Sequence, residues 1–148
     1  MEEGNRNHGS TRILALDLGK KRIGLAISDP LGVTAQGLDT LERANIRADV
    51  ARLAGLIADK GVALILMGNP LHMSGQEGRQ ASWTRDFAER LSGAAGIPVE
   101  FRDERLTTVQ AERVLREGGV RLREDRARSV DRLSAVLLLQ DYLDSRRV

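Results

Sequence analysis

Acids placed where a charge is costly are the first residues in this sequence able to do chemistry. Asp17 stands near the C-terminal end of Arg12–Leu18 (RILALDL), an apolar run that reads as a buried strand. A carboxylate there must be paired, hydrogen-bonded or metal-bound. Alternation along the strand sets Leu14 and Leu16 on one face and Ala15 with Asp17 on the other. Lys20, Lys21 and Arg22 follow on the adjoining turn, so a plain ion pair at a hairpin mouth is the alternative reading of Asp17. Asp103 and Glu104 close a second expected strand between Arg102 and Arg105, and strand geometry lets only one of the two join Asp17 readily. Asp131 stands near the start of the last expected helix, where the helix dipole alone would favour an acid. Together, three carboxylates at strand and helix ends could converge into an oxygen-ligand site for Mg²⁺ or Mn²⁺. Ions of that kind activate water and stabilise the leaving oxygen in phosphodiester hydrolysis. With no cysteine, and with His8 in a polar tail and His72 in a loop, no ligand set for zinc competes.

The elements that must position these acids follow from periodicity. Arg12–Leu18 and Ile23–Ser28 are strands joined by the Gly19-Lys20-Lys21-Arg22 turn, a hairpin. Asp29-Pro30-Leu31-Gly32 is a second turn, and Val33–Leu41 a weaker third strand. From Asn45 to Lys60, Ile46, Val50, Leu53 and Ile57 recur at helical spacing, and Gly61 ends the helix. Val62–Met67 is a continuous apolar strand of the kind buried on both faces. Gly68–Gly78 reads as a loop. Arg79–Ala95 is a helix with Trp83, Phe87 and Leu91 on one face, and Pro98–Asp103 is a strand. Thr107 or Thr108 caps a helix at Val109–Glu117. An Arg-rich stretch then leads to a last helix over about Ser129–Arg146. The pattern predicts an α/β fold with a mixed five-stranded sheet, three antiparallel strands followed by βαβ units, flanked by helices.

Composition sets bounds on this reading. The chain has 148 residues, 41% hydrophobic and 30% charged, enough for one ordinary domain over 11–148 after a disordered tail at 1–10. The tail has no apolar run to act as a signal, and Val62–Met67 is too short to cross a bilayer, so a soluble cytoplasmic protein is expected. Four aromatic residues leave the core to aliphatic side chains and argue against base stacking as a main mode of recognition. The net charge is only +2, yet seven arginines lie between Arg113 and Arg132 against four acids, a modest basic patch.

Four stretches then resemble one family in order along the chain. They are Ala15–Asp29 (ALDLGKKRIGLAISD), Gly68–Gly75 (GNPLHMSG), Asp103–Thr108 (DERLTT) and Val130–Ala135 (VDRLSA). These are similar to the YqgF family of pre-16S rRNA nucleases and Holliday-junction-resolvase-like proteins, and the similarity runs from about Arg12 to Tyr142. The resemblance implies an RNase H-like fold and catalytic, metal-binding acids at Asp17, Glu104 and Asp131, which selects Glu104 over Asp103. It also implies Mg²⁺ or Mn²⁺ as cofactor and nucleic acid as partner: structured RNA such as precursor rRNA, or branched DNA. The implied reaction is 5′-end processing of precursor 16S rRNA. Substrate contacts would fall on Lys20, Lys21, Arg22, Asn69, His72, Arg105 and Arg132. Asn69, His72 and Ser74 depart from the family pattern in the second stretch, so its loop contacts transfer least securely.

Two other classes fit parts of the sequence. Actin-like ATPases share the RNase H-like fold and an Asp-x-Gly hairpin, but need two lobes where this length supplies one. A noncatalytic nucleic-acid or ribosome-assembly protein would keep the fold for docking. A monomer or weak homodimer is expected, and no stretch announces the two-fold interface that junction resolution requires.

Overall fold

The computed structural model describes residues 12–69, 77–103 and 123–146. Five strands form one sheet: β1 (Ile13–Leu18), β2 (Arg22–Ser28), β3 (Ala35–Glu42), β4 (Leu64–Asn69) and β5 (Val99–Asp103). Three helices accompany them: α1 (Ile46–Lys60), α2 (Glu77–Ala95) and α3 (Arg123–Ser145). The sheet order is β3-β2-β1-β4-β5. β1 pairs antiparallel with β2 and β2 with β3, whereas β1–β4 and β4–β5 are parallel. This is the mixed sheet expected from the sequence.

Local chemistry accounts for the element ends. Asn45 caps α1, its side chain accepting a hydrogen bond from the Ala48 N–H at 2.9 Å. Gly61 closes the same helix in the left-handed region at φ 67°, where a side chain would be strained. In the β2–β3 turn, the Asp29 carboxylate accepts from the backbone N–H groups of Leu31, Val33 and Thr34. Those bonds, Thr34 foremost, hold its pKa below the ordinary carboxylate value.

The two faces of the sheet differ. Leu14, Leu16 and Leu18 of β1 join Ile23, Leu25 and Ile27 of β2 in an aliphatic core capped by α1 and α2, with Leu53, Ile57, Phe87 and Leu91 fully or nearly buried. On the other face Ile13, Ala15, Ala26 and Leu66 meet Ala135, Leu138, Leu139 and Leu143 of α3. The sidedness expected for Ala15 and Asp17 therefore points at α3. Small residues form a cross-strand row there, Ala15 opposite Ala26 and Ala26 opposite Gly37. Such a row lets a helix lie close to the sheet.

Several boundaries differ from expectation. β4 begins at Leu64 and continues through Gly68 and Asn69, so two residues read as loop are strand. Pairing explains this: Gly68 is in register with Arg102 and Asn69 with Asp103, bonds that a local loop signal cannot reveal. α2 starts at Glu77 rather than Arg79. The larger correction concerns α3, which starts at Arg123 rather than Ser129. Apolar spacing begins only at Val130, but Arg, Glu and Ala before it are good helix formers and need no apolar partner to be helical. The expected tail and the helix at Val109–Glu117 lie outside the described residues.

Candidate active site

One end of the sheet gathers the acids because the strands β1, β4 and β5 are parallel and finish at the same edge. Asp17 lies one residue from the end of β1, partly buried, directly opposite Gly24 of β2. Gly24 sits where the β2–β3 register shifts, an irregularity that bends the strand locally. Above it passes α3. A Cβ added at Gly24 would fall 2.0 Å from the carbonyl oxygen of Asp131 and 2.5 Å from its carbonyl carbon, so only glycine admits the helix here. Asp17, Gly24 and Asp131 are thus consecutive in space across strand, strand and helix.

Asp131 does not occupy a helix start. It lies more than two turns inside α3, where the positive end of the dipole has no useful reach. Another cause must keep an acid on this sheet-facing stripe, shared with Ser134 and Ala135. Electrostatics show the cost of keeping it. Desolvation first, then repulsion from Asp17 and Glu42, pushes the Asp131 pKa up to about 6, against a smaller opposing effect of Arg22. Arg22 Nη1 stands 3.9 Å from Asp131 Oδ2, and its Nε 3.4 Å from Glu42 Oε2. The Arg22 Nε is buried and makes no hydrogen bond among the described residues, so the guanidinium satisfies neither acid fully there.

The turn after β1 is compact. The Gly19 N–H donates to the Arg22 carbonyl at 2.9 Å, and a Cβ on Gly19 would lie 2.8 Å from that same oxygen. Lys20 and Lys21 project from it exposed, next to the acids. Arg132, adjacent to Asp131, turns away and pairs with exposed Asp39 of β3 at 3.1 Å, its stem lying over Gly37. Among the described residues the structure therefore brings together Asp17, Asp131 and Arg22, leaves Lys20 and Lys21 exposed on the adjoining turn, and sets Arg132 to one side. Asn69 ends β4 in register with Asp103 at the same sheet edge. Glu104, His72 and Arg105 lie outside the described residues.

Two contributors are not marked by residue type or spacing. Glu42, opposite Arg22 across β2 and β3, competes for that cation. Gly24 lies within the first motif, but its part in admitting α3 depends on a helix more than a hundred residues further along the chain. A glycine inside an apolar strand is the cue that could have exposed it.

Residues 11–145 match the RuvX family, described as Holliday junction resolvase. The chain belongs to this family. RuvX relatives include a "Putative pre-16S rRNA nuclease" of Koribacter versatilis, 48% identical over 148 residues, covering 100% of this chain and 95% of that protein. A protein of the same name from Moorella thermoacetica is 49% identical over 133 residues, covering 90% and 94%. Both names agree with the resemblance carried by the four sequence motifs. Among solved structures, Thermus thermophilus RuvC in complex with Holliday junction substrate superposes with a TM-score of 0.59 at 15% identity, covering 91% of this chain and 94% of that one. That likeness establishes the RNase H-like fold. No described helix is long and apolar enough to cross a membrane.

Proposed function

We propose that this chain is a metal-dependent nuclease that hydrolyses phosphodiester bonds in structured RNA, acting in 5′-end processing of precursor 16S rRNA. The observation that carries the reading is the Asp17–Gly24–Asp131 stack, in which a glycine admits the Asp131 backbone against the strand opposite Asp17 and the two carboxylates repel each other. A fold that only needed stability would gain by replacing one of them.

The residues present suit a hard divalent cation. Asp17 and Asp131 offer carboxylate oxygens whose repulsion and desolvation such an ion would relieve, and Glu104 would be the third ligand. The choice of Glu104 over Asp103 rests on the resemblance of the Asp103–Thr108 stretch to the family motif. When bound, Mg²⁺ or Mn²⁺ supplies Lewis acidity at the scissile phosphate and makes a water nucleophilic near neutral pH. Lys20 and Lys21 engage flanking phosphates. Arg22 balances the charge of Asp131 and Glu42 between turnovers. In the reaction a water oxygen attacks phosphorus, the bond from phosphorus to the 3′ oxygen breaks, and the 3′ oxygen leaves with a proton.

Purified protein should be offered precursor rRNA ends, a four-way DNA junction and plain duplex, each with Mg²⁺ and with Mn²⁺. Cleavage of the rRNA precursor, lost in Asp17→Asn and in Glu104→Gln with folding retained, is the expected result. Selective cutting of the junction would instead support the resolvase description of the family. Binding without cleavage of any substrate would make the protein a docking factor, and full activity of the two variants would remove the site assignment.

A further inference from the structure

The turn bearing Lys20 and Lys21 is held from behind by a residue no motif contains. Arg43 follows directly on β3, and the pairing of Arg22 with Glu42 brings it beside the turn. Its backbone N–H donates to the Lys21 carbonyl at 2.9 Å, and its Nη1 donates to the Gly19 carbonyl at 3.0 Å. Two of the turn's carbonyls are thereby fixed by one residue.

Arg43 is itself immobilised. Its guanidinium stacks 4.3 Å from the centre of the Trp83 ring on α2. Its Nε lies 3.6 Å from Oδ2 of Asp49, a carboxylate of α1 with no exposed surface. Asp49 in turn accepts the Ala44 N–H through Oδ1 at 3.1 Å, which ties down the segment leaving Arg43. Asp49 Oδ2 makes no hydrogen bond among the described residues, so the partly desolvated Arg43 is its nearest compensating charge. Planarity matters here: one guanidinium stacks on a ring, faces a carboxylate and donates to a carbonyl at once, which an ammonium cannot do.

We propose that Arg43 is a positioning residue, clamped by Asp49 and Trp83, that fixes the Gly19–Arg22 turn so that Lys20 and Lys21 meet a phosphodiester backbone in a set geometry. Through Arg43 the backbone of the two lysines is referenced to the layer of α1 and α2. The proposal rests on the nuclease reading only in taking the ligand to be a nucleic-acid backbone.

The test is a double-mutant cycle read by binding of a fluorescein-labelled RNA hairpin in EDTA. Arg43→Lys keeps a cation for Asp49 and removes the fork, and should weaken binding about fivefold, the worth of one lost hydrogen bond. In the Lys20→Ala/Lys21→Ala background the same substitution should change binding by less than about twofold, because the effect travels through those lysines. The pair Arg43→Met with Asp49→Asn, which leaves no buried charge unpaired, should reproduce both results. Val50→Ala, a packing loss in the same layer, should lower the melting temperature without altering binding. An equal loss in both backgrounds, no loss with Arg43→Lys, or a hairpin bound as well without the two lysines would each overturn the proposal, as would undetectable binding by the parent chain. Failure of the nuclease reading shows separately, as intact RNA when the parent chain is given Mn²⁺.

Discussion

Asp131 is the residue at which the cost to stability of the proposed site is most clearly seen. Its folded pKa of about 6 lies above the ordinary carboxylate value of 3.8. The folded state therefore holds the proton more tightly than the unfolded chain. The stability this gives is fully present below about pH 4 and is lost as pH rises through 6. Asp131→Asn should accordingly stabilise the metal-free protein at pH 8 by about 1–2 kcal/mol, a value discounted because the side chain keeps some contact with water. At pH 4 the gain should vanish, which thermal unfolding in EDTA at the two pH values will show. Mn²⁺ affinity should follow the opposite course. Calorimetry on the parent chain should find binding strengthening from pH 5 to pH 7 as Asp131 ionises, and Asp131→Asn should abolish that dependence. Gly24→Ala is the complementary change. It adds no charge, but its Cβ must displace the Asp131 backbone, so a cost of about 1–3 kcal/mol and about a tenfold loss of Mn²⁺ affinity are expected.

At the scale of elements the two faces of the sheet have different duties. α1 and α2 bury the large side chains, with Phe87 and Leu91 wholly inside. α3 lies on small residues, and its docking distance decides how far Asp131 stands from Asp17. Phe87→Ala should therefore cost about 3–5 kcal/mol of stability and leave Mn²⁺ affinity near the parent value. Ala26→Leu, on the α3 face, should cost less stability yet abolish Mn²⁺ binding by lifting the helix. Parallel denaturant titrations and calorimetry on the two variants separate these effects. The sequence carried this architecture unevenly. The apolar runs of β1 and β2 and the spaced Leu53, Ile57, Phe87 and Leu91 declare strand and helix locally, so order and sheet type were legible. The start of α3 was not, because its first residues pack no apolar stripe. The extension of β4 to Asn69 depends on β5 as partner. Asp17 and Asp131 were legible as acids in apolar company, whereas Arg43 and Asp49 look like ordinary surface charges until the fold encloses them.

For the whole molecule, the net charge of +2 understates its suitability for a polyanion. Among the described residues Arg22 pairs with Glu42, Arg102 with Asp141 and Arg132 with Asp39. Lys20 and Lys21 are exposed beside the acidic site. Binding of the RNA hairpin should weaken with added salt, and Lys20→Ala/Lys21→Ala should reduce the slope of that dependence by about two. A titration from low to physiological salt measures it. The contact between Gly24 and the Asp131 backbone has a mechanical consequence as well. No side chain cushions helix against sheet there, so any drift of α3 passes undamped into the gap between the two acids. The site is as stiff as the seating of one helix, and warming that loosens this seating would disarm the protein while the sheet beneath is still intact.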